Sequence, residues 1–432
     1  MRRQYAPTRM NTVLLTLPPN KSMRYAHGWR NEPTMKALHI HNHYRYRGGE
    51  DVMFERIGEI LRANGHEVVT FERRSNEVNG TRAKLGAMAS SVYSPAAKRE
   101  VSAVLHSERP DVVHVHNLYP LISPSALEAC AEHGVPVVMR CPNYRLECPT
   151  GILMRNGRVC DDCSGGREYN CALNNCRGNV FESVAFATRN MLTRMHGFFH
   201  RHVRVFAPPS HFVKSRLVAA GFPEERIRVI PNVVPLPSST GNAAIGEYIA
   251  LAGRFSEEKG IETLLDAARL VPHVPVRIAG EGPLEAALRA DAPANVTFVG
   301  QLSKADLGDF YANARACVVP SRWYEAFGLV AAEAMSYAIP VIATRMAGLA
   351  EIVDDGETGF HFPPNDAIAL AQRMEQLWAN AVLAKAMGES GRRKVEREYS
   401  VETYYKRLIS IYELATGAVA ERQTVTGLAN IA

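Results

Sequence analysis

Long apolar runs are missing from this sequence. Nowhere in its 432 residues does an uninterrupted apolar stretch approach the roughly 20 residues that a membrane-spanning helix requires. The short apolar patch TVLLTLPP, near the N-terminus, is broken by prolines and has no small-residue cleavage site, so no signal peptide is expected. The sequence therefore predicts a cytoplasmic protein. Peripheral contact with the cytoplasmic face of a membrane stays an open alternative.

The phosphate-binding motifs of two large enzyme classes are also missing. The chain has no G-x-G-x-x-G turn, which argues against a dinucleotide oxidoreductase, and no G-x-x-x-x-G-K-[ST] loop, which argues against a P-loop NTPase. It has no Asp-x-Asp pair that would hold a diphosphate through a metal ion. Any phosphate site must therefore be built in another way.

Composition and charge indicate a soluble protein of two domains. Hydrophobic residues make up 46%, charged residues 22% and aromatic residues 8% of the chain, which is ordinary for globular proteins. The net charge of +6 is uneven, with +12 through Pro235 and −6 from Leu236 onward. Nucleic-acid binding is not expected, because the basic half lacks the interleaved aromatic residues and basic stripes of a nucleic-acid groove.

Both ends of the chain lack a periodic pattern. Residues 1–34 carry six basic residues against one acid and are predicted to be a disordered tail. Met35, where strand-like sequence begins, is an alternative translation start. Residues 416–432 are expected to form a second loose tail.

Strand-like and helix-like stretches alternate between these ends. The buried strand MKALHIHN precedes the amphipathic stretch DVMFERIGEILRANGH, and the strand DVVHVHN follows later. After the linker VIPNVVPLPSSTGNAAIG, the alternation restarts with the strand YIALAG. This alternation is typical of parallel sheets covered by helices. We predict an α/β fold with two doubly wound, Rossmann-like domains, 35–235 and 236–415, the second ending in a helix over 400–415.

The predicted strands of the second domain end in candidate phosphate-binding loops. On doubly wound sheets, ligands bind at the carboxyl ends of strands, where glycines let the backbone approach a phosphate. Gly253 follows one strand, and the nearby Arg254 and Lys259 are predicted to be a pair of cations for a diphosphate. Gly280 ends the next strand, and together with Leu302 it is expected to hold a nucleotide base through the backbone. Plain exposed charges are the alternative for the two cations.

Two acidic residues stand in the small and apolar stretch SRWYEAFGLVAAEAM. Glu325 falls in a loop, and Glu333 lies between one and two turns into the helix expected from Gly328 onward. Since a carboxylate accepts hydrogen bonds from two neighbouring hydroxyls, two separate carboxylates suit a hexose and a ribose. The amides of Phe327, Gly328 and Leu329 are predicted to bind the phosphates between these sugars. The pattern fits a nucleotide sugar; an interior acid with a basic neighbour is the alternative for Glu333.

These stretches together resemble the family 4 glycosyltransferases, which are retaining, metal-independent enzymes whose GT-B fold has two Rossmann-like domains facing a cleft. The resemblance runs from about Met35 to Leu414, and its strongest element is the E-x7-E motif EAFGLVAAE. LAGRFSEEKG is similar to the family's diphosphate-binding segment, RGGED to its glycine-rich loop, and DVVHVHN to its acceptor-side histidine segment. The segment beginning CPNYRLECPTG resembles a subgroup with a cysteine-rich insert in the N-terminal domain.

The resemblance implies a role for each matching residue of the second domain. Glu325 would bind the donor sugar and Glu333 the nucleotide ribose. Arg254 and Lys259 would bind the diphosphate and stabilise the charge that grows on it. The family's loop Gly-Gly-x-Pro-Glu is AGLAE here, so alanine replaces a glycine and the proline, while the glutamate is retained.

The resemblance also assigns residues of the first domain. Gly48 and Gly49 would close over the phosphates, and His116 is the candidate catalytic residue on the acceptor side. Many members carry a histidine after the following strand, and this chain has Cys141 or Pro142 at that position. The acceptor side therefore departs from the family's pattern.

The reaction implied by the resemblance moves a hexose-type sugar from a nucleotide diphosphate sugar to a glycan or lipid-linked acceptor. The anomeric configuration would be retained, with the leaving diphosphate taking the acceptor's proton. No cofactor is required for this chemistry. A nucleotide-sugar epimerase of the same fold and a non-enzymatic zinc-containing binding protein are the alternatives.

Six of the eight cysteines lie within 36 residues. The knuckle VCDDC is typical of zinc sites, whereas structural disulfides are less expected in a reducing compartment. We predict a structural zinc ion bound by Cys148, Cys160, Cys163 and Cys176, with Cys171 as the alternative to Cys176, holding together an insert over 141–178. Packed free thiols and redox-active cysteines are the alternatives.

The stretch that follows the cysteines, 178–206, interleaves apolar and basic residues and is predicted to form one long helix. A buried helix with a solvated basic face is preferred over a membrane-surface helix that gathers a lipid-linked acceptor. Because the insert leaves a strand at its carboxyl end, we expect the insert to lie near the ligand site.

Overall fold

A computed structural model describes residues 34–44, 48–75, 86, 88 and 90–418. Residues 1–33 and 419–432, which make up most of the two predicted tails, lie outside the described residues. Among the described residues, no helix combines the length and the apolar character needed to cross a membrane.

Strands and helices alternate along most of the described chain. The strands are Lys36–His43 (β1), Glu67–Arg74 (β2), Val112–Asn117 (β3), Val137–Arg140 (β4), Met154–Arg155 (β5), Arg158–Val159 (β6), Val205–Ala207 (β7), Tyr248–Ala252 (β8), Val276–Ala279 (β9), Val296–Gly300 (β10), Ala314–Val319 (β11), Val341–Thr344 (β12) and Gly359–Phe362 (β13). The structure has these α-helices: Gly49–Ala63 (α1), Pro95–Glu108 (α2), Ser125–Glu132 (α3), Tyr169–Leu173 (α4), Val180–Met195 (α5), Phe198–His202 (α6), His211–Ala219 (α7), Ile261–Leu270 (α8), Glu285–Asp291 (α9), Lys304–Ala312 (α10), Leu329–Ser336 (α11), Leu349–Ile352 (α12), Ala367–Ala379 (α13), Ala381–Glu398 (α14) and Val401–Thr416 (α15).

The first sheet has the strand order β2-β1-β3-β4-β7. Strand β1 pairs in parallel with both β2 and β3, and β3 pairs in parallel with β4. The chain therefore leaves β1 in one direction to form β2 and returns to its other side to form β3. This reversal of strand order between β1 and β3 marks where a doubly wound sheet binds ligands.

The second sheet has the order β10-β9-β8-β11-β12-β13, with all of its paired strands parallel. Its order reverses between β8 and β11, so the loops after these two strands leave the sheet side by side. Helices cover it through apolar stripes, as in α8, where Ile261, Leu264, Leu265 and Ala268 are buried at spacings of three and four residues. The predicted α/β fold is confirmed.

The described chain divides into two compact units by its backbone contacts. One unit holds the described residues through Arg140, Leu192–Phe206 and the residues from Ile411 onward, and the other holds Cys141–Met191 and Ala207–Ser410. The cysteine-rich segment thus groups with the second sheet. Helix α15, which begins one residue after the start of the predicted helix 400–415, contributes its end to the first unit.

The prediction of one long helix over 178–206 is wrong. Helix α5 ends at Met195, the short helix α6 follows, and the chain then forms strand β7 at the edge of the first sheet. Gly197 separates the two helices with a φ of 60°, a left-handed conformation that ends helices. Arg194, Arg201 and Arg204 are exposed, as a solvated basic face requires, whereas Arg189 of α5 is buried and Phe181 is 83% exposed.

Candidate functional site

The site of the second unit lies where its strand order reverses. Strand β8 leads into the turn that carries Gly253 and Arg254 and then into the short 3-10 helix Glu257–Lys259. Strand β11 leads into the loop that carries Glu325. Because β8 and β11 are paired and parallel, both loops start from the same edge of the sheet. The predicted diphosphate cation and the predicted sugar-binding acid are therefore brought together.

Lys259 and Glu325 form an ion pair at this edge. The Lys259 ammonium lies 2.6 Å from Oε1 of Glu325, and the hydroxyl of Ser321 donates to the same oxygen at 3.0 Å. Burial opposes ionisation of Glu325, but the charge of Lys259 and these hydrogen bonds outweigh it and lower the pKa of the carboxyl group. The acid is therefore ionised at neutral pH and serves as a hydrogen-bond acceptor.

Helix α11 begins directly after this pair with an uncapped N-terminus. Its N-cap residue, Gly328, has a φ of 97°, and no side chain accepts a hydrogen bond at this helix start. A Cβ atom at Gly328 would lie 2.5 Å from the Leu349 side chain, so a larger residue would also collide there. Phe327 is buried against Tyr399, which fixes the entry of the chain into the helix. The amide groups of Gly328 and Leu329 form a helix terminus suited to an anion.

The glycines predicted for the diphosphate and base lie at the ends of β8 and β9. The amide of Gly253 donates to the Ala279 carbonyl at 3.0 Å, and the amide of Gly280 donates to the Gly300 carbonyl at 2.8 Å. Three consecutive strand ends are thus held together by backbone hydrogen bonds. The Arg254 side chain is exposed beside them, and Leu302 packs against the core of the second unit.

Glu333 has surroundings different from those of Glu325. It is half-buried in α11, and its charge adds to the effect of burial in raising the pKa values of Tyr311, Cys317 and Tyr337. Glu325, in contrast, accepts hydrogen bonds from Lys259 and Ser321. The geometry therefore keeps the two carboxylates in separate environments, as two separate hydroxyl-binding roles require.

The loop AGLAE supports the site despite its departures from the family's pattern. Ala347 has a φ of 47°, a left-handed conformation that glycine adopts without strain. Ala350 lies in the first turn of α12, and its amide donates to the Ala347 carbonyl at 3.1 Å, a hydrogen bond that a proline cannot make. The amide of Gly348 donates to the Glu325 carbonyl at 2.9 Å, while the Glu351 carboxylate accepts from the amides at the start of α7 at 2.8 and 2.6 Å. Glu351 thus caps a helix.

The cysteine-rich segment borders the Glu325 loop, as expected for the insert. The ring of Tyr144 lies 6.5 Å from that of Tyr324, and its buried hydroxyl has no partner among the described residues. Burial and then the charge of Glu325 raise the pKa of Tyr144, which keeps its hydroxyl protonated. Gly157 of the β5-β6 turn lies next to Glu257. Sequence reasoning missed Tyr144, although it stands in the CPNYR stretch that departs from the family.

Five cysteines of this segment lie near one another. Burial raises the pKa of Cys163 to about 12, with further contributions from Cys148, Cys171, Cys176 and Cys160. Within the described residues, no three of these thiols have sulfur atoms within 4.8 Å of one another. All are free thiols. The predicted zinc ligands are therefore close in space, together with Cys171, the alternative to Cys176, but are not in ligand geometry.

The residues predicted in the first unit stand at its own reversal of strand order. Gly48 is the N-cap of α1, Gly49 is the first residue of that helix, and the amide of Gly48 donates to Asp51 at 3.0 Å. The adjoining residues 45–47 of the predicted glycine-rich loop lie outside the described residues. His116 lies in β3 and is only 3% exposed. Its burial holds its pKa well below the usual range, so the ring is neutral.

The second unit thus combines four features that suit a nucleotide diphosphate sugar. It offers a cation, an ionised acceptor for hydroxyl groups, an uncapped helix N-terminus and glycine turns at one edge of a sheet. Cations and backbone amides stabilise the negative charge of a diphosphate, and carboxylates accept hydrogen bonds from sugars.

Two family descriptions match the chain, one for each part. "Glycosyl transferase 4-like domain" matches residues 48–233, and "Glycosyl transferases group 1" matches residues 239–394. Together they span most of the chain, and the change from one to the other falls close to the domain boundary predicted at 235.

Curated relatives match over part of their length. The chain is 34% identical over 171 residues to the O-antigen chain mannosyltransferase C of Escherichia coli, covering 38% of this chain and 46% of that protein. It is 30% identical over 185 residues to a phosphatidyl-myo-inositol mannosyltransferase of Mycobacterium leprae, covering 41% and 49%. The chain spans about half the length of these curated relatives.

Solved structures share the fold. A sucrose-phosphate synthase from Thermosynechococcus elongatus superimposes with a TM-score of 0.68 at 21% identity, covering 89% of this chain and 100% of that one. Anabaena HepE in complex with UDP superimposes with a TM-score of 0.61 at 16% identity, covering 87% and 99%. With both domain descriptions matched in order and this fold, the chain belongs to the GT-B glycosyltransferases, in which a glycosyltransferase 4-like domain precedes a group 1 domain.

Proposed function

We propose that this protein is a retaining glycosyltransferase that moves a hexose-type sugar from a nucleotide diphosphate sugar to a glycan or lipid-linked acceptor. The observation that carries the proposal is the Lys259–Glu325 pair beside the uncapped start of helix α11. The family, its sugar-transferring relatives and the UDP complex of HepE support it.

Each predicted residue of the donor site has a separate task in this proposal. Glu325 accepts hydrogen bonds from the donor sugar, and Glu333 accepts them from the nucleotide ribose. Arg254, Lys259 and the amides of Gly328 and Leu329 bind the diphosphate. Gly280 and Leu302 hold the base through the backbone. The predicted roles of Gly48, Gly49 and Gly253 at the phosphates belong to the same proposal.

The proposed reaction needs no enzyme nucleophile. The bond between the anomeric carbon and the diphosphate oxygen breaks, and the acceptor oxygen bonds to the same face of that carbon. The acceptor's proton passes to the departing diphosphate, whose growing charge is stabilised by Lys259 and Arg254. Tyr144 adds a buried hydroxyl beside Glu325 that can orient a sugar hydroxyl. No metal ion is required at the diphosphate in this scheme.

One nucleoside diphosphate is expected to stabilise the wild-type protein in a thermal-shift panel of UDP, GDP, ADP, dTDP and their hexose forms. A ligand present at about 100 times its Kd stabilises a protein by about 2.7 kcal/mol, which is a shift of several degrees. Glu333→Ala removes the ribose acceptor and is expected to abolish that shift. Glu389→Ala, on the exposed face of α14, is the matched control and should retain it.

Absence of any shift with every nucleotide would overturn the donor site. An epimerase of the same fold is separated by product analysis, because it converts the nucleotide sugar when no acceptor is present. A non-enzymatic zinc-containing protein would consume no donor with any acceptor.

We also propose that the cysteine-rich segment binds one structural zinc ion through Cys148, Cys160, Cys163 and Cys176. Their proximity supports this, and ligation requires the sulfur atoms to draw together and lose their protons. Cys163→Ser is expected to lower the zinc content by about one equivalent and the Tm by several degrees. Cys130→Ser, at a buried thiol of α3, is the control that keeps its zinc. Equal zinc in both folded variants would contradict this site.

For the acceptor, we propose contact with a membrane surface through the exposed start of α5. Val180, Phe181 and Val184 are 57%, 83% and 47% exposed, which is unusual for apolar side chains on one helix turn. Wild-type protein is expected to float with anionic liposomes, and Phe181→Ser to float markedly less. Equal flotation of the two proteins would contradict contact through the start of α5, and no flotation of either would argue for a soluble glycan acceptor.

A further inference from the structure

Three buried histidines meet at the reversal of strand order in the first sheet. His39 lies on β1, and His114 and His116 lie two residues apart on β3, so all three point to one face of the sheet. Their exposures are 0%, 1% and 3%. One ring nitrogen from each lies within 4.8 Å of the other two. Three imidazoles enclosed together at this place need a physical explanation.

The hydrogen bonds of the described residues do not satisfy these rings. Nδ1 of His39, Nε2 of His114 and both nitrogens of His116 are buried without a partner. A buried polar atom without a hydrogen bond costs about 1–3 kcal/mol, and here four of them occur in one cluster. Native structures avoid such clusters unless a water molecule, an ion or a ligand satisfies the atoms.

A neighbouring histidine cluster provides the contrast. His41 Nε2 lies 2.9 Å from Asp51, His43 Nδ1 lies 3.0 Å from Asp51, and His43 Nε2 lies 2.8 Å from Glu72. Carboxylates account for three of its four ring nitrogens. The same sheet therefore holds one histidine cluster in which only Nδ1 of His41 is left without a partner, and one that has no carboxylate partner among the described residues.

The spacing of the unsatisfied rings is that of imidazoles around one metal ion. Their ring centroids are 5.2 Å apart for His39 and His114, 4.9 Å for His39 and His116, and 4.3 Å for His114 and His116. Tetrahedral ligation with bonds of about 2.0–2.1 Å places imidazole centroids about 5 Å apart. The planes of His114 and His116 differ by 27°, so one of the two rings turns when both bind the ion.

A second shell for this arrangement is already present. The hydroxyl of Tyr412 lies 2.8 Å from Nδ1 of His114 and 3.4 Å from Nε2 of His39. Tyr412 therefore pairs with one nitrogen of each ring, and Nδ1 of His39 and Nε2 of His114 are the nitrogens left without a partner among the described residues. Partners of this kind orient metal-binding histidines and fix their tautomers.

The protonation state and the local charge decide which ion would fit. Burial lowers the pKa of all three rings, so their lone pairs are available at neutral pH. Arg140 is a nearby cation and opposes a second positive charge. A fourth ligand such as hydroxide would offset part of that charge. Neutral imidazole is a preferred ligand of Zn²⁺ and of its neighbours in the first transition row.

We propose that His39, His114 and His116 form a three-histidine site for a divalent transition-metal ion of the zinc class. This site is distinct from the cysteine cluster and from the donor site, and it does not rest on the proposed function. In this assignment His116 is a metal ligand in the interior of the first unit, in place of the acceptor-side role predicted from the sequence. The ion would hold β1, β3 and α15 together.

Metal content of the full-length chain, produced without a polyhistidine tag, tests the site. Because the rings are enclosed, the protein is unfolded with a chelator and refolded with Zn²⁺ or Co²⁺. His116→Leu is expected to bind about one equivalent less than wild type, and His106→Gln, on the exposed face of α2, is expected to bind the same amount. In the proteins loaded with Co²⁺, the His116→Leu variant should have weaker d–d absorption than wild type. Its sulfur-to-cobalt charge-transfer band, which reports the cysteines, should be unchanged.

A folded His116→Leu protein with unchanged metal content would overturn the proposal. A wild-type protein that binds no more metal than the cysteine site accounts for would also overturn it. Tyr412→Phe serves if His116→Leu does not fold. It keeps the ligands but removes the hydroxyl that orients two of them, and it is expected to weaken metal binding by about 10–100-fold. Unchanged affinity in this variant would also contradict the site.

Discussion

Lys259→Ala is expected to lower kcat for sugar transfer by about 10²–10³-fold, the usual effect of removing one preorganised group that stabilises transition-state charge. In the structure the Lys259 ammonium lies 2.6 Å from Glu325 and beside the start of helix α11. In the proposed reaction, negative charge grows on the diphosphate as its bond to the sugar breaks. The loss should therefore fall on kcat, whereas a group that only binds the ground state would change KM.

The matched control for this prediction is Lys304→Ala, which removes an exposed lysine at the start of α10. We expect its kcat to equal that of wild type, and Lys259→Arg to restore part of the lost rate. A Lys259→Ala enzyme that keeps kcat within about threefold of wild type would refute the assignment.

The same substitution is expected to change the pH dependence of stability. Burial opposes ionisation of Glu325 and Lys259 outweighs it, so the folded pKa lies below the ordinary 4.5. The stability contributed by this acid is therefore present above pH 4.5 and is lost as the pH falls through the lower folded pKa. Without Lys259, burial raises the pKa of Glu325, and acid unfolding should begin at a higher pH. Urea unfolding of both proteins between pH 3 and 7 measures this shift.

Gly280→Ala is expected to destabilise the protein by about 3 kcal/mol or more and to abolish nucleotide binding. Gly280 has a φ of 133°, and a Cβ atom there would lie 1.9 Å from the carbonyl oxygen of Gly253. Gly253 belongs to the turn that ends β8, and Gly280 belongs to the turn that ends β9. These turns would have to separate, and they carry the proposed diphosphate and base contacts.

Gly300→Ala is the control for this effect. Gly300 also has a positive φ, 76°, but a Cβ atom there would meet nothing within 4 Å. Its substitution should cost about 1–2 kcal/mol, the conformational penalty alone. The difference between the two midpoints of urea unfolding then reports the collision. Equal losses would show that the two turns separate readily, and retained nucleotide binding in Gly280→Ala would move the site elsewhere.

The donor site and the three-histidine site follow one topological rule. Each sheet reverses its strand order once, between β1 and β3 in the first and between β8 and β11 in the second. The first reversal brings together the histidines of two strands, and the second brings together Lys259 and Glu325. At such positions, side chains from distant parts of the sequence leave adjacent strands without a crossing helix between them.

The sequence by itself determined the elements and the local position of most site residues. Alternation with periods of two and 3.6 predicted strands such as β1, β3 and β8 and helices such as α1 and α8, because backbone hydrogen bonding fixes those periods. It also placed Glu325 in a loop and Glu333 inside a helix that begins after Gly328, since glycine before a small, apolar run favours a helix start.

Only the tertiary structure decided which of these residues meet. Lys259 and Glu325 are 66 positions apart and pair because β8 and β11 are neighbours, a choice of strand order that no local pattern encodes. Cys171 and Cys176, between which the sequence left the choice open, both lie near Cys163 through packing of the insert, and Tyr144 approaches Glu325 for the same reason. The stretch 178–206 ended as two helices and a strand because the first sheet has an edge next to β4 where β7 pairs. Periodicity reports only the free energy of local structure, whereas strand neighbours and side-chain contacts depend on how the whole chain buries its apolar surface.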